Sequence, residues 1–106
     1  MEVTHDQPII IEPKEMKILK LNSDFISEIT SVLKSPTRQK ILQMIKKNPM
    51  DISELAKELN QTEANISAQI KCLEKAGLIK CSYQPGGHGV RKICEATVDK
   101  IIIELE

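Results

Sequence analysis

The chain has 106 residues, which is enough for one small domain with a single core. Hydrophobic residues make up 41% of it and aromatic residues 2%, which excludes a disordered tail and argues against aromatic platforms for single-stranded nucleic acid. The formal net charge is zero, but the charge is unevenly distributed: residues 31–92 hold eleven Lys and Arg against five acids, and both flanking segments are acidic. We interpret the basic central segment as a surface that faces phosphate, and the alternative is charge scattered for solubility.

The first predicted elements are two short strands. Ile9–Ile11 and Met16–Leu21 are rich in residues that favour strands, and Pro13 separates them because proline cannot donate to a β-ladder. Residues 1–22 are therefore predicted to form a strand-rich N-terminal arm.

Four helices are predicted next, each with its own capping residue. Apolar residues recur at helical spacing in each segment, and serine, threonine and aspartate stand where N-caps are preferred. The predicted caps are Ser23, Ser35, Asp51 and Thr62, and the helices they begin end near Ser35, Lys47, Leu59 and Ala76. Asn60 and Gly77 tolerate the left-handed conformation that ends a helix.

A β-hairpin follows the last helix, because the hydrophobic period changes to two after Gly77. Leu78–Tyr83 and Val90–Thr97 read as its strands, with a flexible glycine-rich tip at residues 84–89. Four helices followed by a hairpin predict an α+β winged helix-turn-helix, with a core of three to four helices, a hairpin wing and short N- and C-terminal strands. We assign residues 23–97 to this domain.

The C-terminal segment, residues 98–106, is predicted to be a strand and a dimerisation element. Three consecutive isoleucines, 101 to 103, favour a strand because β-branched side chains pack well on a pleated surface. A short terminal helix is the alternative.

From Ser35 to Thr97 the chain resembles the winged-helix domain of ArsR-type transcription regulators. The segments that carry the resemblance are SPTRQKIL at 35–42, ISELAKEL at 52–59 and ISAQIKCLEKAGLI at 66–79. The last is similar to the family's recognition pattern V-S-x-H-L-x-x-L-x-x-A-G-L-V. The flanks, with GVRKIC at 89–94 and KIIIEL at 100–105, are similar to small archaeal members. The resemblance implies a DNA-binding regulator.

Three features depart from the family's pattern, one in a segment and two at single positions. Metal sensors of the family carry a Cys-x-Cys pair on the helix before the recognition helix, and Ser53–Leu59 contains no cysteine, which argues against metal sensing there. Ala68 and Gln69 stand where many members have Arg and His. These changes put the DNA target in doubt but not the fold.

The polar face of the predicted recognition helix is the first candidate DNA-binding site. Asparagine and glutamine pair with adenine, and alanine contacts a thymine methyl group, so Asn65, Ala68 and Gln69 are the candidate base readers. Ser67 and Lys71 are candidates for backbone contacts, and Thr62 begins the same face. The alternative is an ordinary solvated helix face.

Two further groups are predicted to contact DNA. The helix that begins at Pro36 offers its N-terminus to a phosphate, supported by Thr37, Arg38 and Lys40. The wing offers His88, Arg91 and Lys92 to the backbone or minor groove, with Lys80 on the same hairpin. The alternative for each of these residues is an ordinary surface position without a DNA contact.

Winged-helix regulators usually dimerise, because one half-site gives weak specificity. The candidate dimer surfaces are the Phe25–Leu33 helix and the apolar ends, Ile9–Ile11 and Ile101–Leu105. Pairing of the two ends within one chain or between two chains would close their strand edges.

The three cysteines do not form a secreted disulfide framework. Cys81 and Cys94 are equidistant from the hairpin turn and would face each other. We expect free cysteines that act as small buried hydrophobes. The alternatives are a redox switch, or a metal site in which Cys72 or His88 is the third ligand.

No catalytic motif is present, so we expect no enzyme activity, no cofactor, no metal and no small-molecule substrate. No stretch is long and apolar enough for a membrane helix, and Glu2 and Asp6 do not fit a signal peptide, so we expect a cytoplasmic, nucleoid-associated protein. The sequence predicts a dimeric regulator that binds double-stranded DNA. A protein-interaction module that has lost DNA binding, and a thiol or metal sensor, remain alternatives.

Overall fold

Residues 15–87 and 89–105 are described by the computed structural model, so the predicted strand Ile9–Ile11 and the predicted wing residue His88 lie outside the described part. The elements in chain order are β1 (Ile18–Leu21), a 3-10 turn (Ser23–Phe25), α1 (Ile26–Leu33), α2 (Pro36–Lys47), β2 (Met50–Asp51), α3 (Ile52–Leu59), α4 (Glu63–Lys75), β3 (Ile79–Gly86), β4 (Gly89–Ala96) and β5 (Lys100–Ile103). This is the predicted α+β winged helix-turn-helix fold, with β3 and β4 as the wing.

Side-chain caps begin three of the helices where the sequence predicts them. The hydroxyls of Ser35 and Thr62 each accept a hydrogen bond from the backbone N–H three residues on, at 3.3 and 3.0 Å. Asp51 and Glu54 form a complete capping box at the start of α3, in which each side chain accepts from the other residue's backbone N–H. These caps satisfy N–H groups that would otherwise lack a partner inside the helix.

The start of the first helix differs from the prediction. Asn22, not Ser23, is the capping residue, and its side-chain oxygen accepts a hydrogen bond from the backbone N–H of Asp24 at 3.0 Å. The chain then makes the 3-10 turn, and α1 begins only at Ile26. An asparagine that bonds to the backbone two residues on favours such a turn over immediate α-helix.

The wing is longer than predicted. β3 and β4 pair antiparallel from Ile79↔Ala96 out to Gly86↔Gly89, so the predicted six-residue tip at 84–89 is wrong, and pairing continues through Pro85↔Val90. Gly89 has a φ of 128°, a conformation that L side chains rarely adopt, which is why glycine serves at the turn.

Two pairings join distant parts of the chain. The two-residue strand β2, which the sequence analysis missed, pairs antiparallel with β4 through Met50↔Cys94 and Asp51↔Ile93. β1 and β5 pair in parallel within the chain, with Leu19 opposite Ile101. The C-terminal segment is therefore a strand, and the helix alternative is wrong.

The core lies between the helices and the base of the wing. Its fully buried members come from every helix after α1, from the turn that follows α4 and from β4: Ile41, Ile45, Leu55, Ile66, Ile70, Leu73, Leu78 and Cys94. Burial of each such aliphatic side chain contributes about 2 kcal/mol to stability, before the entropy cost of ordering the chain is counted. Three of these residues lie on α4, so the core fixes which face of that helix is left exposed.

Candidate nucleic-acid interface

The exposed face of α4 is a row of polar side chains. Ile66, Ile70 and Leu73 are 0% exposed and hold the opposite face of the helix against the core. Four of the predicted recognition residues are exposed, namely Thr62, Asn65, Ala68 and Lys71, and Ser67 and Gln69 are half-buried at the edges of the row. The six residues therefore lie on the side of α4 that a major groove could receive.

A chain of hydrogen-bonded amides runs along this face. Gln69 donates through Nε2 to Oδ1 of Asn65 at 3.2 Å, and Asn65 donates through Nδ2 to Oε1 of Gln61. Gln61 in turn donates through Nε2 to the hydroxyl of Thr37 on α2 at 3.2 Å. Gln61 was not predicted, because it precedes the N-cap Thr62 and only the pair Asn65 and Gln69 has the spacing of four residues that brings side chains together on α4.

Arg38 lies at the other end of this chain. Its Nη1 donates to Oε1 of Gln69 at 2.6 Å, its Nε donates to the carbonyl oxygen of Val32 at 2.7 Å, and its Nη2 donates to that of Ser31 at 3.2 Å. The side chain is half-buried. Arg38, predicted as a phosphate contact, therefore joins the end of α1 to α4.

The remaining predicted residues at the start of α2 are placed differently. Thr37 is half-buried and accepts the hydrogen bond from Gln61, whereas Lys40 is exposed. The structure therefore brings Thr37 and Arg38, but not Lys40, into contact with the polar face of α4.

Arg91 of the wing is paired with the two acids that cap α3. Its Nε and Nη2 lie 2.7 and 2.6 Å from Oδ2 of Asp51, and its Nη2 lies 3.0 Å from Oε1 of Glu54. Burial disfavours the charged form of Asp51, but hydrogen bonds from the Glu54 backbone and from Arg91, with the charge of Arg91, outweigh it and lower the pKa of Asp51. The hydrogen bond and charge of Asp51 raise the pKa of Arg91.

The other cations of the wing also have acidic neighbours. Nζ of Lys92 lies 3.2 Å from Oε1 of Glu74 on α4, and Nζ of Lys80 lies 3.2 Å from Oε1 of Glu95 on the paired strand. Both Lys80 and Glu95 are largely exposed, so that pair contributes little to stability. The described cations of the wing therefore pair with acids of their own chain.

Cys81 and Cys94 form a disulfide across the hairpin. They are directly opposite in the β3–β4 register, with a Cα–Cα distance of 4.1 Å, which confirms the predicted opposition. The expectation of free, buried cysteines is wrong for this pair, whereas Cys72 on α4 is free and half-buried. In residues 15–87 and 89–105, no three His, Cys, Asp or Glu side chains are placed to hold a metal ion.

Within the described part of the chain, the helices are all too short or too polar to cross a membrane.

Known proteins match the chain both in sequence and in fold. The family described as "Bacterial regulatory protein, arsR family" matches residues 35–80. An uncharacterized HTH-type transcriptional regulator of Methanocaldococcus jannaschii is 32% identical over 81 residues, which are 76% of this chain and 85% of that protein.

Solved structures with the same fold come from bacteria and archaea. A homodimeric winged helix-turn-helix DNA-binding domain of Mycobacterium bovis, described as a possible ArsR-family regulator, is 18% identical with a TM-score of 0.59, over 69% of this chain and 64% of that one, slightly under two thirds of its length. Reduced HlyU from Vibrio cholerae is 18% identical with a TM-score of 0.61, over 70% and 74%. A transcriptional regulator homologue of Pyrococcus horikoshii is 26% identical with a TM-score of 0.54, over 68% and 77%.

The fold, the matched segment and the relative from Methanocaldococcus jannaschii agree with one another. The chain belongs to the ArsR family of winged helix-turn-helix transcription regulators.

Proposed function

We propose that the protein is a sequence-specific regulator that binds double-stranded DNA as a dimer, with α4 in the major groove and the wing on the backbone or in the minor groove. The ArsR family consists of transcription regulators rather than enzymes. The observation that carries the proposal is the polar face of α4, exposed opposite a fully buried apolar stripe. A regulator of this kind acts in the cytoplasm, at the nucleoid.

Roles on α4 follow from side-chain chemistry. Asn65, Ala68 and Gln69 are assigned to base edges, since amides bond to base donors and acceptors and a methyl group packs against thymine. Thr62, Ser67 and Lys71 are assigned to phosphate or sugar, where they fix register without reading sequence.

Roles outside α4 are supported by exposure and charge. Lys40 is exposed near the start of α2, where backbone N–H groups and the helix dipole also attract phosphate, and Thr37 begins the same turn. In the wing, His88, Arg91 and Lys92 are assigned to the backbone or minor groove. Arg91 and Lys92 would exchange their intrachain carboxylates for phosphates on binding.

Dimerisation is supported by apolar side chains that the single chain leaves exposed. They lie on β1, β5, the turn before α1 and the adjoining ends: Met16, Ile18, Phe25, Ile102 and Leu105, which are 56%, 48%, 47%, 38% and 82% exposed. β1 and β5 form an isolated two-stranded parallel sheet, an arrangement that is normally covered on both faces. A second copy would cover this surface, and the structural relative from Mycobacterium bovis is itself described as homodimeric.

Fluorescence anisotropy with labelled random-sequence duplex and single-stranded DNA, titrated across salt concentrations, tests the proposal. We expect preference for duplex and a log–log salt slope of about −0.9 for each phosphate neutralised. Lys71→Ala should weaken binding and make the slope shallower by about one, whereas Lys47→Ala, an exposed lysine in the last turn of α2, should do neither. Absence of duplex binding at low salt by the folded protein would instead favour the protein-interaction module.

The Cys81–Cys94 disulfide favours a second candidate function, a regulator whose wing responds to thiol redox state. In the reduced protein, thiol–disulfide exchange with a small-molecule disulfide would oxidise Cys81 and Cys94 and form the bond between their sulfurs. The small-molecule disulfide would be reduced to two thiols, which take up the two electrons and two protons of the cysteines. Equal DNA affinity of the oxidised and reduced proteins, and of the Cys81→Ser/Cys94→Ser variant, would eliminate this candidate.

A further inference from the structure

We infer that Arg38 is a positioning residue that sets the direction of the amide chain on α4, so that Asn65 and Gln69 present N–H donors to acceptor atoms on base edges. The inference rests on the proposed function, because it gives a specificity role to residues that the proposal places in the major groove. It gives Arg38 a different role from the phosphate contact that the sequence predicts.

The direction of the chain follows from the chemistry of its first member. A guanidinium donates hydrogen bonds and accepts none, so Gln69 must turn its oxygen toward Arg38 and its NH₂ toward Asn65. The oxygen of Asn65 is then occupied by Gln69, and its NH₂ faces Gln61. Gln61 repeats the pattern and ends the chain on the hydroxyl of Thr37. One fixed donor therefore determines three amide orientations.

Arg38 is itself held in place at its other nitrogens. Nε and Nη2 donate to the carbonyl oxygens of Val32 and Ser31, in the last turn of α1. Those carbonyls belong to the negative end of the helix dipole, which attracts a cation. Because three nitrogens of a planar group are engaged, the guanidinium cannot rotate without breaking several bonds, and Gln69 receives its donor in one geometry.

The orientation matters for reading DNA because an amide presents different chemistry at its two ends. Each NH₂ group of Gln69 and Asn65 uses one N–H within the chain, which leaves a second N–H on each for a partner. Such donors match purine N7, guanine O6 and thymine O4 in the major groove. An amide without a fixed neighbour can flip and present its oxygen instead, so ordering before binding removes both the ambiguity and part of the entropy cost.

Side-chain NMR of the full chain tests the orienting role without DNA. In Arg38→Met we expect the side-chain NH₂ resonances of Gln69 and Asn65 to shift and their protons to exchange with solvent several-fold faster. The matched control is Gln39→Met, because Gln39 donates through Nε2 to the carbonyl of Leu33 at the same end of α1, at 2.6 Å, but lies outside the amide chain. Unchanged Gln69 and Asn65 resonances in Arg38→Met would overturn the inference.

A second variant separates orientation from support of α1. Gln69→Leu leaves the bonds of Arg38 to Ser31 and Val32 in place but removes the link to Asn65. We expect the Asn65 NH₂ group to lose order in this variant as it does in Arg38→Met. An Asn65 group that changes in Arg38→Met but not in Gln69→Leu would show that Arg38 acts through the fold of α1, which would also overturn the inference.

Selection from a random duplex library tests the effect on specificity. We expect Arg38→Met to lose roughly fivefold or more of its base preference at the positions that face Asn65 and Gln69, with a salt slope changed by less than one. A uniform loss of affinity with a slope reduced by about one would make Arg38 a phosphate contact and contradict the inference. If the wild-type protein bound no duplex, the proposed function and the base-edge role of Asn65 and Gln69 would both fail. The NMR experiment would still decide whether Arg38 orients the two amides.

Discussion

Arg91 of the wing and Asp51 at the start of α3 are joined through one carboxylate oxygen, which lies 2.7 Å from Nε and 2.6 Å from Nη2 of the arginine. A Cβ on Gly86 would lie 2.9 Å from both Cγ and Cδ of Arg91. The absence of a side chain at Gly86 on β3 therefore provides room for the Arg91 side chain, which comes from the paired strand β4. Because Asp51 also caps α3, this contact ties the wing to the first helix of the helix-turn-helix pair.

Replacement of Arg91 should destabilise the protein in a way that depends on pH. We expect Arg91→Met to lower the free energy of unfolding at pH 7 by a small but measurable amount, since half of the arginine side chain is exposed and solvent screens the pair. The pKa of Asp51 is lower in the folded chain than in the unfolded one, so its contribution is present above the unfolded pKa of about 3.9 and is lost as pH falls through the folded pKa.

Denaturant titrations between pH 7 and pH 2 check this prediction. The difference between wild type and Arg91→Met should be constant from pH 7 to about pH 5 and should shrink below about pH 4. Lys80→Met, which removes the exposed pair with Glu95, should show a much smaller difference between pH 7 and about pH 5. A difference that stays the same down to pH 2 would mean that Asp51 is not the partner that matters.

The disulfide predicts a specific thiol count. Unreduced protein unfolded in denaturant should show one reactive thiol per chain, that of Cys72, and three after reduction. Reduction should also lower the free energy of unfolding by about 2 kcal/mol, because the bond restricts the unfolded chain. Cys72→Ser serves as the control and should show no thiol before reduction and two after it. Three reactive thiols in the unreduced wild-type protein would contradict the pairing.

Truncation of the buried stripe of α4 should be costly. Ile70 is 0% exposed, so Ile70→Ala should lower the free energy of unfolding by about 3 kcal/mol through lost burial and a residual cavity. Val90→Ala, at a position that is 71% exposed in the wing, should change it by less than about 0.5 kcal/mol. Chemical denaturation checks both values, and similar costs at the two sites would contradict the assignment of the core.

The exposed apolar surface predicts how the proposed dimer can be broken. Ile102→Glu or Phe25→Glu should convert the protein to a monomer, because each places a charge in the surface that a second copy would cover. Tyr83→Glu is the matched control, since Tyr83 is 71% exposed but lies on the wing. Sedimentation velocity at several concentrations reports the oligomeric state, and persistence of the dimer in both variants would place the interface elsewhere.

Local signals in the sequence were sufficient to predict three of the four helix caps and the order of the helices and the wing. Ser35, Asp51 and Thr62 cap their helices as expected, and Asn60 and Gly77 take positive φ values of 54° and 79°. Each of these features depends on residues within about four positions in the chain, and this is the range over which capping and periodicity act.

Features that depend on distant partners were harder to predict. β2 is only two residues long and exists because β4 lies beside it, and the wing extends past Tyr83 because strand pairing carries Pro85 and Gly86 into the ladder. The chemistry of the candidate site was predicted by residue type, but its contacts were not. No spacing rule links Arg38 to Gln69, 31 residues away, or Arg91 to Asp51, 40 residues away.

The amide chain was predictable in part, because one of its contacts is local and its direction depends on a distant residue. Asn65 and Gln69 are four residues apart on α4, so their contact was predictable in principle, whereas Gln61 precedes the N-cap Thr62 and its contact was not. Its direction was not, because the direction is set by Arg38 from another helix.

Selection of binding sites from a random duplex library, with the 106-residue chain, tests sequence-specific recognition through α4. We expect an enriched inverted repeat with half-sites about 10 base pairs apart, which Asn65→Ala/Gln69→Ala abolishes while the variant stays folded and dimeric. If the folded, dimeric wild-type protein enriched no sequence over the starting library, sequence-specific recognition through α4 would be contradicted.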